Sequence, residues 1–386
     1  MLIAFRKYSM ILWLALLVSD CKKPYDPPAI VGPNNYLVVD GVINTGPNSV
    51  TIINLNRTRN LNDTIVTGIP ELGAQISIVD RNGATYSLID SAGKGLYSSS
   101  PLTLDPAGQY KIEITTSDSR QYRSDFVTPN ATPPIDSVFY EQPRDFTLYL
   151  TTHDPANSTH YYRWDYLQTW EHDSRYQSPW ELRRGQVWAK DPDSGSQQTD
   201  RCWTTTMSNT ILLGNTTALS RDLVDKMPII TMINNDLRLD IAYYILVRQY
   251  ALTKDAYNYW QLIQKTSQQV GTLFDLQPTQ LTGNIYCTTN PNEPVIGYMS
   301  ASSIQQAHFY IENYQLKAWP HYIYMEGCPT HEARRLSPDD FHSWLYPDTA
   351  YGPYYFVSNG PLIVAPKRCL DCRSQGGTNV KPSFMP

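Results

Sequence analysis

No run of basic residues interrupts this 386-residue chain after its first few positions, and its formal charge is −5. Nucleic acid therefore has no electrostatic partner here. There is no Gly-x-Ser-x-Gly elbow, no P-loop and no Gly-x-Gly-x-x-Gly fingerprint, which removes the commonest hydrolase, nucleotide and dinucleotide signatures. His331-Glu332-Ala333-Arg334-Arg335 lacks the second histidine of a zincin. Asp339-Asp340 and the scattered carboxylates show no spacing that singles out a glycosidase pair. No catalytic residue and no cofactor is expected from these patterns, and the balance leans away from an enzyme. Phenylalanine is also scarce, 9 residues against 28 tyrosines and 9 tryptophans, a balance that favours β structure with partly exposed amphipathic faces.

No apolar run reaches the roughly 20 residues that a helix needs to cross a bilayer. What stands at the N-terminus is shorter: Arg6 and Lys7, an apolar stretch from Met10 to Val18, then Ser19, Asp20 and Cys21. That layout predicts a secretory signal over residues 1–20. Leu17-Val18-Ser19-Asp20-Cys21 resembles a lipobox, with Asp20 a departure where a small residue is usual, so Cys21 is the expected lipid attachment site. Two or more acyl chains make such an anchor stable where one does not. Residues 21–35, with Lys22, Lys23, Pro24, Pro27 and Pro28, read as a polar, semi-extended tether. The expected location is the cell envelope, with the membrane face open, since Asp26 is the tether's one acidic residue.

From Tyr36 to about Val127, short alternating segments separated by Gly, Pro, Asn and Asp turns predict roughly seven strands, the count of an immunoglobulin-like sandwich over residues 36–131. Asp80-Arg81-Asn82-Gly83 should close a hairpin, because Asn-Gly supplies positive φ. The prolines of 128–134 end that domain. Residues 135–386 are then expected to form a larger β-rich domain. Ile135–Tyr140, Thr147–Thr151, Tyr161–Tyr166, Ala242–Tyr250 and Val295–Ala301 are read as strands of one antiparallel sheet. One helix is expected near 254–269, capped by Thr253 and stopped by Gly271, with Ala256, Tyr259, Trp260 and Ile263 as its core stripe. The polar stretch from Glu171 to Asn215 reads as long loops with short strands, the usual place for a binding surface.

Setting Cys21 aside leaves five cysteines, an odd number in an oxidising compartment, so at least one is unpaired or pairs between chains. Cys369 and Cys372 form a Cys-x-x-Cys whose best disulfide partner is Cys328. The rival is a tetrahedral zinc site using Cys328, His331, Cys369 and Cys372, and the compartment favours the disulfide.

Taken in order, Leu37-Val38-Val39-Asp40-Gly41-Val42-Ile43, Pro133-Pro134-Ile135-Asp136-Ser137-Val138, Tyr161-Tyr162-Arg163-Trp164, Gly283-Asn284-Ile285, Val295-Ile296-Gly297-Tyr298 and Cys369-Leu370-Asp371-Cys372-Arg373 with Gly376-Gly377-Thr378-Asn379 resemble a Bacteroidota lipoprotein family, domain of unknown function 4249. Met385 stands where that family closes on an aromatic residue. The resemblance implies an outer-membrane lipoprotein beside a TonB-dependent β-barrel receptor, with an accessory role in uptake and a small-molecule or polymer ligand it does not specify. Two other expectations compete: a lipid-anchored surface hydrolase working through the polar loops, and a structural or adhesive lipoprotein presenting its tyrosine-rich surface.

Overall fold

The structure is a computed structural model that describes residues 35–59, 68–183, 186–191, 194, 198–268, 283–319, 327–333, 350–358 and 361–386. The predicted signal, Cys21, nearly all of the tether, and Gly271 lie outside the described residues. Among the described residues no helix is long and apolar enough to cross a membrane.

The fold is mainly β. Eight strands come first: β1 (Leu37–Asn44), β2 (Ile52–Arg57), β3 (Ile69–Pro70), β4 (Gln75–Asp80), β5 (Thr85–Ile89), β6 (Leu96–Ser99), β7 (Tyr110–Thr115) and β8 (Gln121–Ser124). Nine follow before the helix: β9 (Ile135–Glu141), β10 (Phe146–His153), β11 (Tyr161–Asp173), β12 (Trp180–Arg183), β13 (Gln186–Ala189), β14 (Arg201–Met207), β15 (Leu212–Asn215), β16 (Leu223–Met232) and β17 (Ala242–Ala251). Helix α1 (Lys254–Gln268) precedes β18 (Ile285–Cys287), β19 (Ser300–Ser302), β20 (Gln305–Glu312), β21 (His331–Ala333), β22 (Tyr351–Phe356) and β23 (Leu362–Pro366).

The N-terminal sandwich is one curled sheet with the path β18-β8-β7-β4-β5-β6-β2-β1-β19, and β3 flanks β2. Alternation drives it: in β7, Tyr110, Ile112 and Ile114 point inward while Lys111 and Glu113 point out. The β4–β5 hairpin closes at Asp80–Ala84, with Gly83 at φ +94°.

The sandwich is completed by residues far along the chain. Ile285, Cys287, Val295, Met299 and Ala301 share one core with β1, β2, β4, β7 and β8. Val295–Ala301 therefore corrects the sequence reading. It runs parallel to β1, with Val42 opposite Ser300 and Val38 bridged to Ile296, and is not part of an antiparallel sheet in the second half. The physical reason is close approach. A Cβ on Gly283 would sit 1.8 Å from the Gly297 carbonyl oxygen, and one on Gly297 would sit 2.4 Å from the Val39 carbonyl oxygen. Between them Asn284 brackets Met299, donating to its carbonyl at 2.9 Å and accepting from its N–H at 2.7 Å. This crossing accounts for Gly283-Asn284-Ile285 and Val295-Ile296-Gly297 as a pair.

The remaining strands named as one sheet are divided between two. Strands β16-β10-β9 form a three-stranded sheet and β14-β11-β17-β20, with β15 on β11, a five-stranded one. They close on a second core that includes Phe146, Leu148, Leu150, Tyr162, Trp164, Tyr243, Ile245 and Val247. Period-two patterning shows which face of a strand is buried but not which strand lies beside it, so it cannot separate one sheet from two. Trp164 is fully buried and donates its indole N–H to Gln249 Oε1 at 2.8 Å, while the Gln249 amide donates to the Pro133 carbonyl at 2.8 Å. The proline segment is thereby packed into the second core.

Strand β11 runs to Asp173, beyond the expected Tyr161–Tyr166, and Glu171–Asn215 holds, besides its end, the four strands β12, β13, β14 and β15. The β12–β13 hairpin packs against β22 of a third sheet, β21-β23-β22, through Trp180 and Phe356 at 4.9 Å and Tyr176 on Tyr354 at 4.5 Å.

Candidate functional site

The first half of strand β11 alternates: Tyr162, Trp164 and Tyr166 face the second core, so Tyr161, Arg163 and Asp165 share the opposite face. Its antiparallel partner β17 sets Arg248 directly across from Asp165 and Tyr250 across from Arg163. A face carrying buried charge must be covered, and α1 covers it. Its first turn is capped by Thr253, whose Oγ1 accepts from the Ala256 N–H at 3.2 Å. Ala256, Trp260 and Ile263 then fall on one side, Tyr257 meets Tyr161 at 5.0 Å, and Gln264 donates to the Ile211 carbonyl at 2.7 Å.

Where this face meets the sandwich there is a cleft of about 330 Å³. Its walls are Val38, Val39 and Asp40 of β1, Ile296 and Gly297 of the returning segment, Arg163, Asp165 and Arg248 of the sheet, Tyr259, Trp260 and Ile263 of α1, and the 207–211 loop. The Arg163 guanidinium lies 4.0 Å from the Trp260 ring centroid and 5.3 Å from that of Tyr250. Its Nη2 is 3.5 Å from Asp165 Oδ2 and 3.7 Å from Asp40 Oδ1. Arg248 Nε donates to Asp165 Oδ1 at 2.5 Å, and Tyr250 OH donates to Oδ2 at 2.9 Å. Burial pulls the Arg248 pKa down, yet Asp165 and Tyr250 together hold it above its ordinary value. Burial pushes the Tyr259 phenol up to about 12, so it stays neutral.

A second cleft, about 470 Å³, lies where the C-terminal segment crosses the same sheet. Register places Glu171 and Glu312 on either side of Ala242. Burial raises the Glu171 pKa, with Arg201 Nε 3.1 Å away opposing the shift, and Glu312 accepts from Tyr310 OH at 2.8 Å. Both carboxylates are engaged, and Met385 packs with Trp203, Ala242 and Tyr244 beside them. This cleft is the seat of the tail.

All three cysteines named from sequence as disulfide candidates are in disulfides, with Cys328 on the Cys-x-x-Cys as expected. Cys328 is joined to Cys369, and Cys372 is joined to Cys202, which sequence reasoning missed. Cys287 is a free thiol buried in the sandwich core. With Cys328, Cys369 and Cys372 all in disulfides, the alternative zinc set has no thiolates to offer, and His331 packs edge-on to Tyr351 at 5.5 Å. Of the expected core stripe, Ala256 and Tyr259 are buried, and Trp260, half-buried over Arg163, packs against the cluster of Val42, Tyr250, Leu252 and Ala256 while also walling the cleft. Asp40, Arg163, Asp165 and Arg248 were not legible as a site. The available signal was the pair Arg163 and Asp165 at alternate positions of a strand otherwise built of Tyr and Trp.

Two curled β units, joined through a returning segment and enclosing a charged cleft under one helix, define the class: a mainly β, disulfide-stapled protein with an inter-sheet ligand-sized cavity. The chain belongs to the family described as domain of unknown function (DUF4249), whose model matches residues 22–308. No curated protein matches it. Among solved structures it is similar to a DUF4785 family protein from Legionella pneumophila subsp. pneumophila, at 10% identity and a TM-score of 0.21, over 55% of this chain and 52% of that one. The chain thus spans about half the length of that protein.

Proposed function

We propose that this protein is a lipid-anchored outer-membrane protein of Bacteroidota type, acylated at Cys21, that acts as a binding or accessory subunit of a TonB-dependent transporter. The observation that carries the reading is the cleft between the sandwich and the second sheet. It is the size of a small-ligand site, lies at a junction of units where such sites concentrate, and mixes apolar walls with four converging charges. Strand β1, which supplies Asp40, is the first strand after the tether. The chain from Cys21 to Leu37 spans at most about 55 Å when fully extended, so the anchor keeps the cleft close to the bilayer.

The test is intact-mass and acyl analysis of the membrane-extracted protein, with affinity capture through a C-terminal tag in mild detergent. The expected result is a di- or triacylated Cys21 and a co-purifying β-barrel receptor that is lost when Cys21→Ala is captured. An unmodified chain in the soluble fraction, or acylated protein that retains no barrel, overturns the proposal.

A further inference from the structure

The four charges of the cleft are unevenly paired. Asp165 is fully engaged, by Arg248 at 2.5 Å and Tyr250 at 2.9 Å. The Arg163 side chain has one hydrogen bond among the described residues, to Asp165 at 3.5 Å, the long limit for such a bond. Among the described residues Arg248 Nη2 has only Met207 Sδ, at 3.9 Å. Asp40 accepts no side-chain hydrogen bond among the described residues and stands 3.7 Å from Arg163 with half its side chain exposed. A nearly buried guanidinium with spare donors and a cleft-mouth carboxylate with spare lone pairs thus form a loose ion pair at 3.7 Å, each with capacity for a further partner. Trp260, Ile211 and Ile263 supply apolar wall beside them.

Resting on the reading of this cleft as the ligand site, the geometry points to a zwitterionic ligand, an amino acid or short peptide with an apolar side chain. Its carboxylate is taken by the guanidinium forks of Arg163 and Arg248, which match a carboxylate's two oxygens. Its ammonium group is taken by Asp40, and its side chain by Trp260, Ile211 and Ile263. Charge balance favours this class: two arginines and two aspartates sum to zero, so a ligand with separated but cancelling charges leaves nothing uncompensated. A phosphate ester would bring net negative charge and no cationic group to answer Asp40. A sugar ring would want the open face of an aromatic side chain, and Arg163 already covers one face of Trp260 at 4.0 Å.

The experiment is titration calorimetry on the full acylated chain in mild detergent. The probes are alanyl-phenylalanine, its N-acetyl form, its C-terminal amide, phenyl phosphate and maltose. Alanyl-phenylalanine is expected to bind saturably, and blocking either end should weaken it about tenfold, the scale of one charge-assisted hydrogen bond. Asp40→Asn, an exposed position that does not endanger folding, should weaken the free dipeptide about tenfold and leave the N-acetyl form unchanged. Arg163→Gln should weaken both. Equal affinity for free and blocked dipeptides, or an Asp40→Asn loss shared by the N-acetyl form, overturns the zwitterion assignment. Binding of maltose or phenyl phosphate in place of the dipeptide overturns the ligand class but leaves the cleft as a ligand site. Binding of none of the five overturns both, while barrel capture reports separately on the transporter partnership.

Discussion

Removing the Cys202–Cys372 disulfide should cost more than any single side-chain change in the second half of the chain. The crosslink joins residues 170 apart, from β14 to the C-terminal segment. In the chain-entropy account a loop of that length, once freed in the unfolded ensemble, costs about 5 kcal/mol of stability. The Cys328–Cys369 bond lies inside it and shortens the loop by about a quarter, which the logarithm hardly registers. The tail has other holds: Trp203 and Thr378 exchange backbone hydrogen bonds at 2.8 and 3.0 Å, Asn379 donates to the Gln198 carbonyl at 2.8 Å, and Phe384 packs on Tyr244 at 5.0 Å. Urea unfolding of Cys202→Ala/Cys372→Ala, followed by tryptophan fluorescence, reads the global loss. Trypsin cleavage after Arg373 reads local release of the tail. The expected outcome is a loss of about 3–5 kcal/mol with faster cleavage. A loss below about 1 kcal/mol with the tail still protected would show that the crosslink does not restrain the unfolded chain as argued.

Gly283→Ala drives a Cβ against the backbone of Gly297 and should cost about 3 kcal/mol or more, since neither strand can yield without disturbing Val39. Thermal unfolding checks it, and a change under about 1 kcal/mol would remove the crossing as a constraint. His172 carries a pH prediction. Burial lowers its pKa below the usual 6.5, and its Nε2 lies 2.9 Å from Thr204 Oγ1, so the fold holds the ring neutral. Because the folded value is depressed, the contribution is fully present above the ordinary histidine pKa and is lost as the pH falls through it towards the folded value. Stability curves between pH 7.5 and pH 5 should therefore slope downward on acidification, less steeply in His172→Gln; parallel curves for the two proteins would refute this.

Much of the architecture was legible because it is local. Alternation in Tyr110–Thr115, the Asn82-Gly83 turn and the Thr253 cap each depend on residues a few positions apart, where backbone sterics and side-chain period decide the outcome. The sequence by itself determined that the protein is mainly β, that one amphipathic helix follows Thr253, and that the C-terminal cysteines belong to a stapled segment. Tertiary structure alone decided the rest. Val295–Ala301 has an apolar pattern that satisfies either unit, and only the glycine crossing at Gly283 and Gly297 fixes it beside β1. Cys202 is separated from Cys372 by 170 residues, a distance over which spacing carries no information about pairing. The cleft draws Asp40, Arg163, Arg248 and Trp260 from four separate elements. Apart from Arg163 with Asp165 two positions on, no residue of that set has a neighbour in sequence that reveals its partners, because cross-strand register and the docking of α1 are settled by burial of the two cores, a property of the whole chain.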